Sequence, residues 1–192
     1  MRHTIILLFT FVLFVSVGTT QAAPNLQISD GQLTGATGVN VQGLLYDVKF
    51  LDGSCYSIFD VCENFPLPSA FAFRYYEEVH AASLALLDQV FTNTGTLNID
   101  SNPNLVRGCS SNLMCETRTF FDIDFAFDPN LGIGREVAIY KWATNHAILP
   151  DEVSPRNRAT GIFKDVDTSL LRTAKVAVWA LTKAKPPSIS EA

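Results

Sequence analysis

Three aspartates are candidates for chemistry: Asp122, Asp124 and Asp128, in the order D-x-D-x-x-x-D. Carboxylates at this spacing can share a hard cation, and calcium is the ion such oxygen clusters hold. Asp122 and Asp124 fall on one side of a strand. The run lacks the glycine at position six and the distal bidentate glutamate of an EF-hand loop. Its alternation with Phe121, Ile123, Phe125 and Phe127 also explains the aspartates as the wet side of a half-buried strand. Asp165 and Asp167 form a second D-x-D.

Only His80 and His146 remain if the first histidine, His3, leaves with an amino-terminal leader. His80 follows Glu77 by three residues, so the two share a helix face and could form an acid–base or metal pair. Such i,i+3 polar pairs are also ordinary helix decoration. His146 has Asp151 and Glu152 close behind it, but no serine has a distinguishing context and there is no G-x-S-x-G elbow. A carboxylate-based hydrolase would draw on Glu77, Asp122 or Asp124 around a cleft, with at least one raised pKa. Trp142 and Trp179, both on strands, could stack against sugar rings if exposed, although aromatic side chains more often fill cores.

The four cysteines are Cys55, Cys62, Cys109 and Cys115. An even count in an exported chain reads as disulfides, and four cysteines allow three connectivities. The local pairs Cys55–Cys62 and Cys109–Cys115 are favoured, because each brackets a short loop-like segment. A four-thiolate zinc site would space its ligand pairs by two to four residues. The gaps here hold six and five residues, and no C-x-x-C redox pair is present.

The elements that must position these groups follow from periodicity and turns. Short β segments are expected at Leu26–Ser29 and Gln32–Gly35, punctuated by Asp30-Gly31 and Thr37-Gly38. Tyr46, Val48 and Phe50 alternate with Asp47 and Lys49 as a half-buried strand that ends at Asp52-Gly53. Arg74 to Phe91 is the one strong helix. Its stripe is Val79, Ser83, Leu86, Leu87 and Val90; Glu77 and Glu78 occupy its first turn, and Asn93 and Gly95 stop it. Residues 94–116 read as loop and disulfide. Residues 118–143 read as an antiparallel hairpin, with Val137, Ile139 and Lys141 on one face and Ala138, Tyr140 and Trp142 on the other. Residues 145–158 read as loop, and Thr173–Leu181 as the last strand. The order predicts an α+β domain, a mostly antiparallel sheet with one main amphipathic helix packed on it.

The amino terminus predicts export. Arg2, an apolar run from Ile5 to Val17 and a small-residue exit ending at Ala22 have the order of a signal peptide. The run is shorter than the ~20 residues a spanning helix needs, so no membrane span is expected after its removal. The expected organisation is a signal peptide over 1–22, a single globular domain over 23–185 and a flexible tail over 186–192. The mature part would carry 13 basic against 19 acidic residues, a net charge of −6. That balance argues against nucleic acid or an anionic membrane as a partner, since both reward clustered Lys and Arg.

The segments TGATGVNVQGLLYDVKFLDGSC and SIFDVCE, the helix SLALLDQVF, the loop SNPNLVRGCSSNLMC and the late AVWAL resemble a group of uncharacterised exported bacterial proteins. Members of that group share Y-D-V-x-F-x-D-G-[ST]-C, and several are similar to PEP-CTERM cargo. The chain departs from that cargo at its end, with Pro186-Pro187 and no apolar span or basic cluster. The resemblance implies bacterial export and brings no activity with it.

The expectation is a secreted or periplasmic, non-catalytic domain of unknown ligand, with a binding or structural role in extracellular matrix or the cell envelope and an extracellular glycan or an envelope protein as the kind of partner. Its alternatives are the carboxylate-based hydrolase and a calcium-dependent structural module. No cofactor is expected other than calcium at the aspartates.

Overall fold

Two tight turns shape the first half of the sheet. Asp30 and Gly31 both adopt positive φ, as do Gln42 and Gly43, and such pairs match the right-handed twist of the strands they join. They connect β1 (Asn25–Ser29), β2 (Gln32–Val41) and β3 (Leu44–Leu51) into an antiparallel meander. The computed structural model describes residues 22–53, 55–59, 71–94, 97–128, 133–154, 161–163 and 174–182. At residues 55–56, 94, 123–128, 133–138 and 161–163 it describes the backbone alone. Residues 1–21 of the expected signal peptide, Cys62, Asp165, Asp167 and the expected tail lie outside the described residues.

A four-residue helix, α1 (Cys55–Ile58), precedes the main helix, α2 (Tyr76–Ala85). A small hairpin follows, β4 (Asn93–Thr94) with β5 (Leu97–Asn98). The long hairpin is β6 (Met114–Asp128) with β7 (Ile133–His146), and β7 also pairs with β8 (Glu152–Val153) and β9 (Gly161–Phe163). The last strand, β10 (Ala174–Leu181), lies between β3 and β6, antiparallel to the first and parallel to the second. Among the described residues the main sheet runs β1-β2-β3-β10-β6-β7-β8, with β9 against β7. This is the expected α+β architecture, mostly antiparallel. Among the described residues no helix is long and apolar enough to cross a membrane.

Glu78 fixes the start of α2, its carboxylate accepting the backbone N–H groups of Arg74 (2.9 Å) and Tyr75 (3.3 Å). That is the return half of a capping box. Of the expected stripe, Val79, Ser83, Leu86 and Val90 are buried and Leu87 is half-buried. Ser83 is tolerated there because its hydroxyl donates to the Val79 carbonyl at 2.9 Å. The last turn, Leu86–Val90, widens to a π-helix. Gln89 in that turn bonds both backbone groups of Asn40 on β2, at 2.9 and 2.8 Å, and so ties helix to sheet.

The helix covers only one face of the sheet. Tyr46, Val48, Phe50, Phe73, Phe121 and Trp179 pack beneath it with the helical stripe. The opposite face carries a second cluster of Phe71, Phe120, Tyr140 and Val176, with Phe59 and Trp142 against it. Burial on both faces is why β10 reads as a nearly continuous apolar run. Phe120 and Phe121, as neighbours on a strand, face opposite sides and enter different clusters, and the register shift between Phe120 and Asp122 leaves Phe121 as the extra residue. The expected loop 94–116 holds β4, β5 and a 3₁₀ turn, Pro103–Leu105, and the loop after His146 holds β8.

Candidate functional site

The site begins where β2 and β3 part. Their pairing runs from Val41↔Leu44 to Gly35↔Lys49. Beyond that point β3 stays with β10, through Leu51↔Val176. Leu33 of β2 turns to a new neighbour, forming a parallel bridge with Val106 and accepting the Arg107 N–H at 2.9 Å. A cavity of about 430 Å³ opens in this gap, lined by Gln27, Thr34, Lys49, Phe50, Leu51, Asp52 and Arg107. That volume lies within the range of small-ligand pockets, ~300–1,000 Å³.

Strand register builds the walls. Gln27, Gly35 and Lys49 are successive partners across β1, β2 and β3 and share one face. Gly35 supplies no side chain between the other two. A Cβ there would lie 2.3 Å from the Val48 carbonyl oxygen and 3.2 Å from Gln27 Oε1, so this position is closed to every other residue without a shift of the strands. Thr34 is the extra residue of a β-bulge between β1 and β2, and its hydroxyl donates to the Gln27 carbonyl at 3.0 Å. Bulges commonly re-aim side chains beside functional sites.

The far wall is the turn bearing Arg107 and Gly108, held from two directions. Cys109 and Cys115 form the expected disulfide, with Cα atoms 5.8 Å apart, and both half-cystines are buried. Gly108 has φ +85°, and a Cβ there would come within 2.6 Å of Asp52 Oδ2 and 2.7 Å of Lys175 Cε. Lys175, from β10, is 2% exposed and forms an ion pair with Asp52. Asp52 therefore serves as the counter-ion of a buried ammonium, while Lys49 and Arg107 reach solvent at the mouth. Lys49, Arg107 and Lys175 set three positive charges against one carboxylate, in a chain whose net charge is −5.

A second polar group lies under α2. Lys141 of β7 is fully buried and donates to the Tyr76 hydroxyl at 2.6 Å and to the Ser154 carbonyl. Its ammonium lies 4.6 Å from the centre of the Tyr76 ring, a cation–π distance. The His80 ring stacks on Tyr76, with centroids 6.0 Å apart. Burial, and secondly the Lys141 charge, push the His80 pKa down. His80 thus packs on Tyr76 and feels the Lys141 charge, while Glu77 is exposed. The hairpin alternation already put Lys141 on the face of Ile139; its burial there is visible only once α2 is in place.

The remaining expected residues are dispersed. His146 donates its backbone N–H to Asp151 Oδ1 at 2.7 Å. Burial raises the Asp151 pKa, that hydrogen bond opposes the shift, and Asp100 adds to it. Asp122 is exposed, and the side chains of Asp124 and Asp128 lie outside the described residues, as do the side chain of Cys55 and the whole of Cys62. Neither Glu77 nor Asp122 lines the cavity.

Trp179 as an exposed stacking platform is corrected by its burial. It is 7% exposed, its indole N–H donates to Thr119 Oγ1 at 3.1 Å, and it packs edge-on to Phe73. Trp142 is half-buried on the opposite face, 5.6 Å from Tyr140, so the two tryptophans cannot form one platform. The alternation put each on a strand face, but the second covered face was not legible, because residues near 59 and 71 that cover it show no regular period.

Comparison with family models, with curated proteins and with solved structures gives no match for this chain.

Proposed function

We propose that the chain is an exported binding domain and that the cavity between β2, β3 and the Arg107 turn is its ligand site. One observation supports this most: a cavity of about 430 Å³ has walls that come from register, an exclusive glycine, the ion pair of a buried lysine and a disulfide-tied turn. Walls fixed in the free protein lower the ordering cost of binding. The disulfide suits an oxidising compartment, and with the signal-like amino terminus it supports a secreted or periplasmic location. The polar lining and open mouth suit a hydroxylated ligand such as an extracellular glycan.

Thermal unfolding of the oxidised chain against glycans, divalent cations and a chelator tests the reading. A ligand at 100 times its Kd stabilises by ~2.7 kcal/mol, a rise of roughly 5–11 °C for a domain of this size. Leu51→Trp, at a 40% exposed cavity position, should fill the cavity and remove the shift. A glycan shift that survives intact in this variant would place the site elsewhere and refute the reading. A shift with calcium and no glycan would favour the aspartates of β6.

A further inference from the structure

Resting on the cavity being the ligand site, we infer that its ligand is a carboxylate-bearing sugar, of the uronic acid type, on an acidic oligosaccharide. Charge argues for the acid group. Among the described residues of the lining, Lys49 and Arg107 are exposed cations without a carboxylate of their own, because Asp52 is engaged by Lys175. An acidic chain that gathers cations in one concave place builds a local field that attracts anions. The guanidinium of Arg107 offers a planar fork that matches a carboxylate with two parallel hydrogen bonds.

The rest of the lining argues for a sugar around that acid. Gln27 has a carboxamide that both donates and accepts, and Thr34 has a hydroxyl able to accept from a ligand while it donates to Gln27. Leu51, 40% exposed, supplies an apolar side chain against which the C–H face of a ring can lie. A small inorganic anion would leave these groups and most of the volume unused. The cations sit at the open mouth, so the attraction is screened by salt over ~8–10 Å.

Calorimetric titration of the full, oxidised chain decides the matter. The probes are a galacturonate trisaccharide, its methyl ester, the neutral galactose trisaccharide, free galacturonate, acetate and inorganic phosphate. The inference predicts binding of the acidic trisaccharide, weaker binding of free galacturonate and at least about tenfold loss on esterification, since a charge-assisted pair is replaced by a neutral contact. Arg107→Gln and Lys49→Ala should each lower affinity for the acidic trisaccharide severalfold, and by a larger factor than they lower affinity for its ester. Both side chains are exposed, so these variants keep the fold; matching melting curves confirm it. Equal binding of the acid and its ester, with loss in Leu51→Trp, would overturn the acidic ligand and leave the binding site standing. Phosphate or acetate binding as tightly as the trisaccharide would overturn the sugar. No binding by any probe would overturn the inference, while a titration with other neutral glycans would still test the site itself.

Discussion

Replacing Gly108 with alanine probes the cavity wall at its tightest point. Two costs add. The backbone at φ +85° is left-handed, which costs an L residue about 1–2 kcal/mol. The new methyl would lie 2.6 Å from Asp52 Oδ2 and 2.7 Å from Lys175 Cε, so the ion pair must move. Lys175 is 2% exposed and cannot follow its partner into water. Breaking a wholly buried pair costs ~3–5 kcal/mol; the Asp52 side chain is 38% exposed, so about 1–2 kcal/mol is the fitting figure for a pair that is strained and not broken. The total, about 2–4 kcal/mol, lowers Tm by roughly 4–16 °C for a domain of this size. Gly31→Ala is the control. Its φ is +73° and nothing lies within 4 Å of the added methyl, so it pays the backbone cost alone. Differential scanning calorimetry of the two variants isolates the steric part. Equal losses would show that the Asp52–Lys175 pair does not press on Gly108, and that the wall is not built as described.

Four further outcomes are expected. Trp179→Ala should cost ~3–5 kcal/mol in chemical unfolding, as for other buried aromatics, and Trp142→Ala clearly less, since Trp142 is half-buried; equal costs would contradict the packing. Acidification should destabilise the fold through His80, whose folded pKa lies below its unfolded 6.5: the unfolded chain binds the proton first, so stability falls as pH drops through 6.5 towards the folded value. His80→Asn should flatten that part of the profile. Asp151→Asn should make the protein relatively more stable at neutral pH, because the folded pKa of Asp151 is raised above 3.8: stability is lost as pH climbs from 3.8 through the folded value, and the amide oxygen can still accept the His146 N–H. Replacing Cys109 and Cys115 together should cost about 2 kcal/mol for so short a loop and weaken ligand binding as the Arg107 turn loosens, seen by calorimetry on the same variant.

What could be read from residues alone was set by local periodicity. Tyr46, Val48 and Phe50 alternate, and all three are buried; the helical stripe from Val79 to Val90 recurs at the spacing its buried face demands. The Cys109–Cys115 pair followed from sequence proximity. The cavity had no such signal. Gln27, Gly35, Lys49 and Arg107 are brought together by strand register and by the departure of β3 from β2, and register is a non-local property. Lys175 is the one polar residue in the apolar run of β10; only the placement of β10 beside Asp52 turns it into a buried cation. Trp179 was ambiguous for the same reason, since alternation assigns a face without saying what covers it.

Backbone amide chemical-shift mapping during titration with the galacturonate trisaccharide locates the ligand on the protein. The largest changes should fall on Gln27, Gly35, Lys49, Leu51 and Arg107 and vanish in Leu51→Trp. Changes centred on Trp142 and Tyr140, or on the exposed Leu113, Ile148 and Leu149, with the cavity residues unmoved, would contradict this placement.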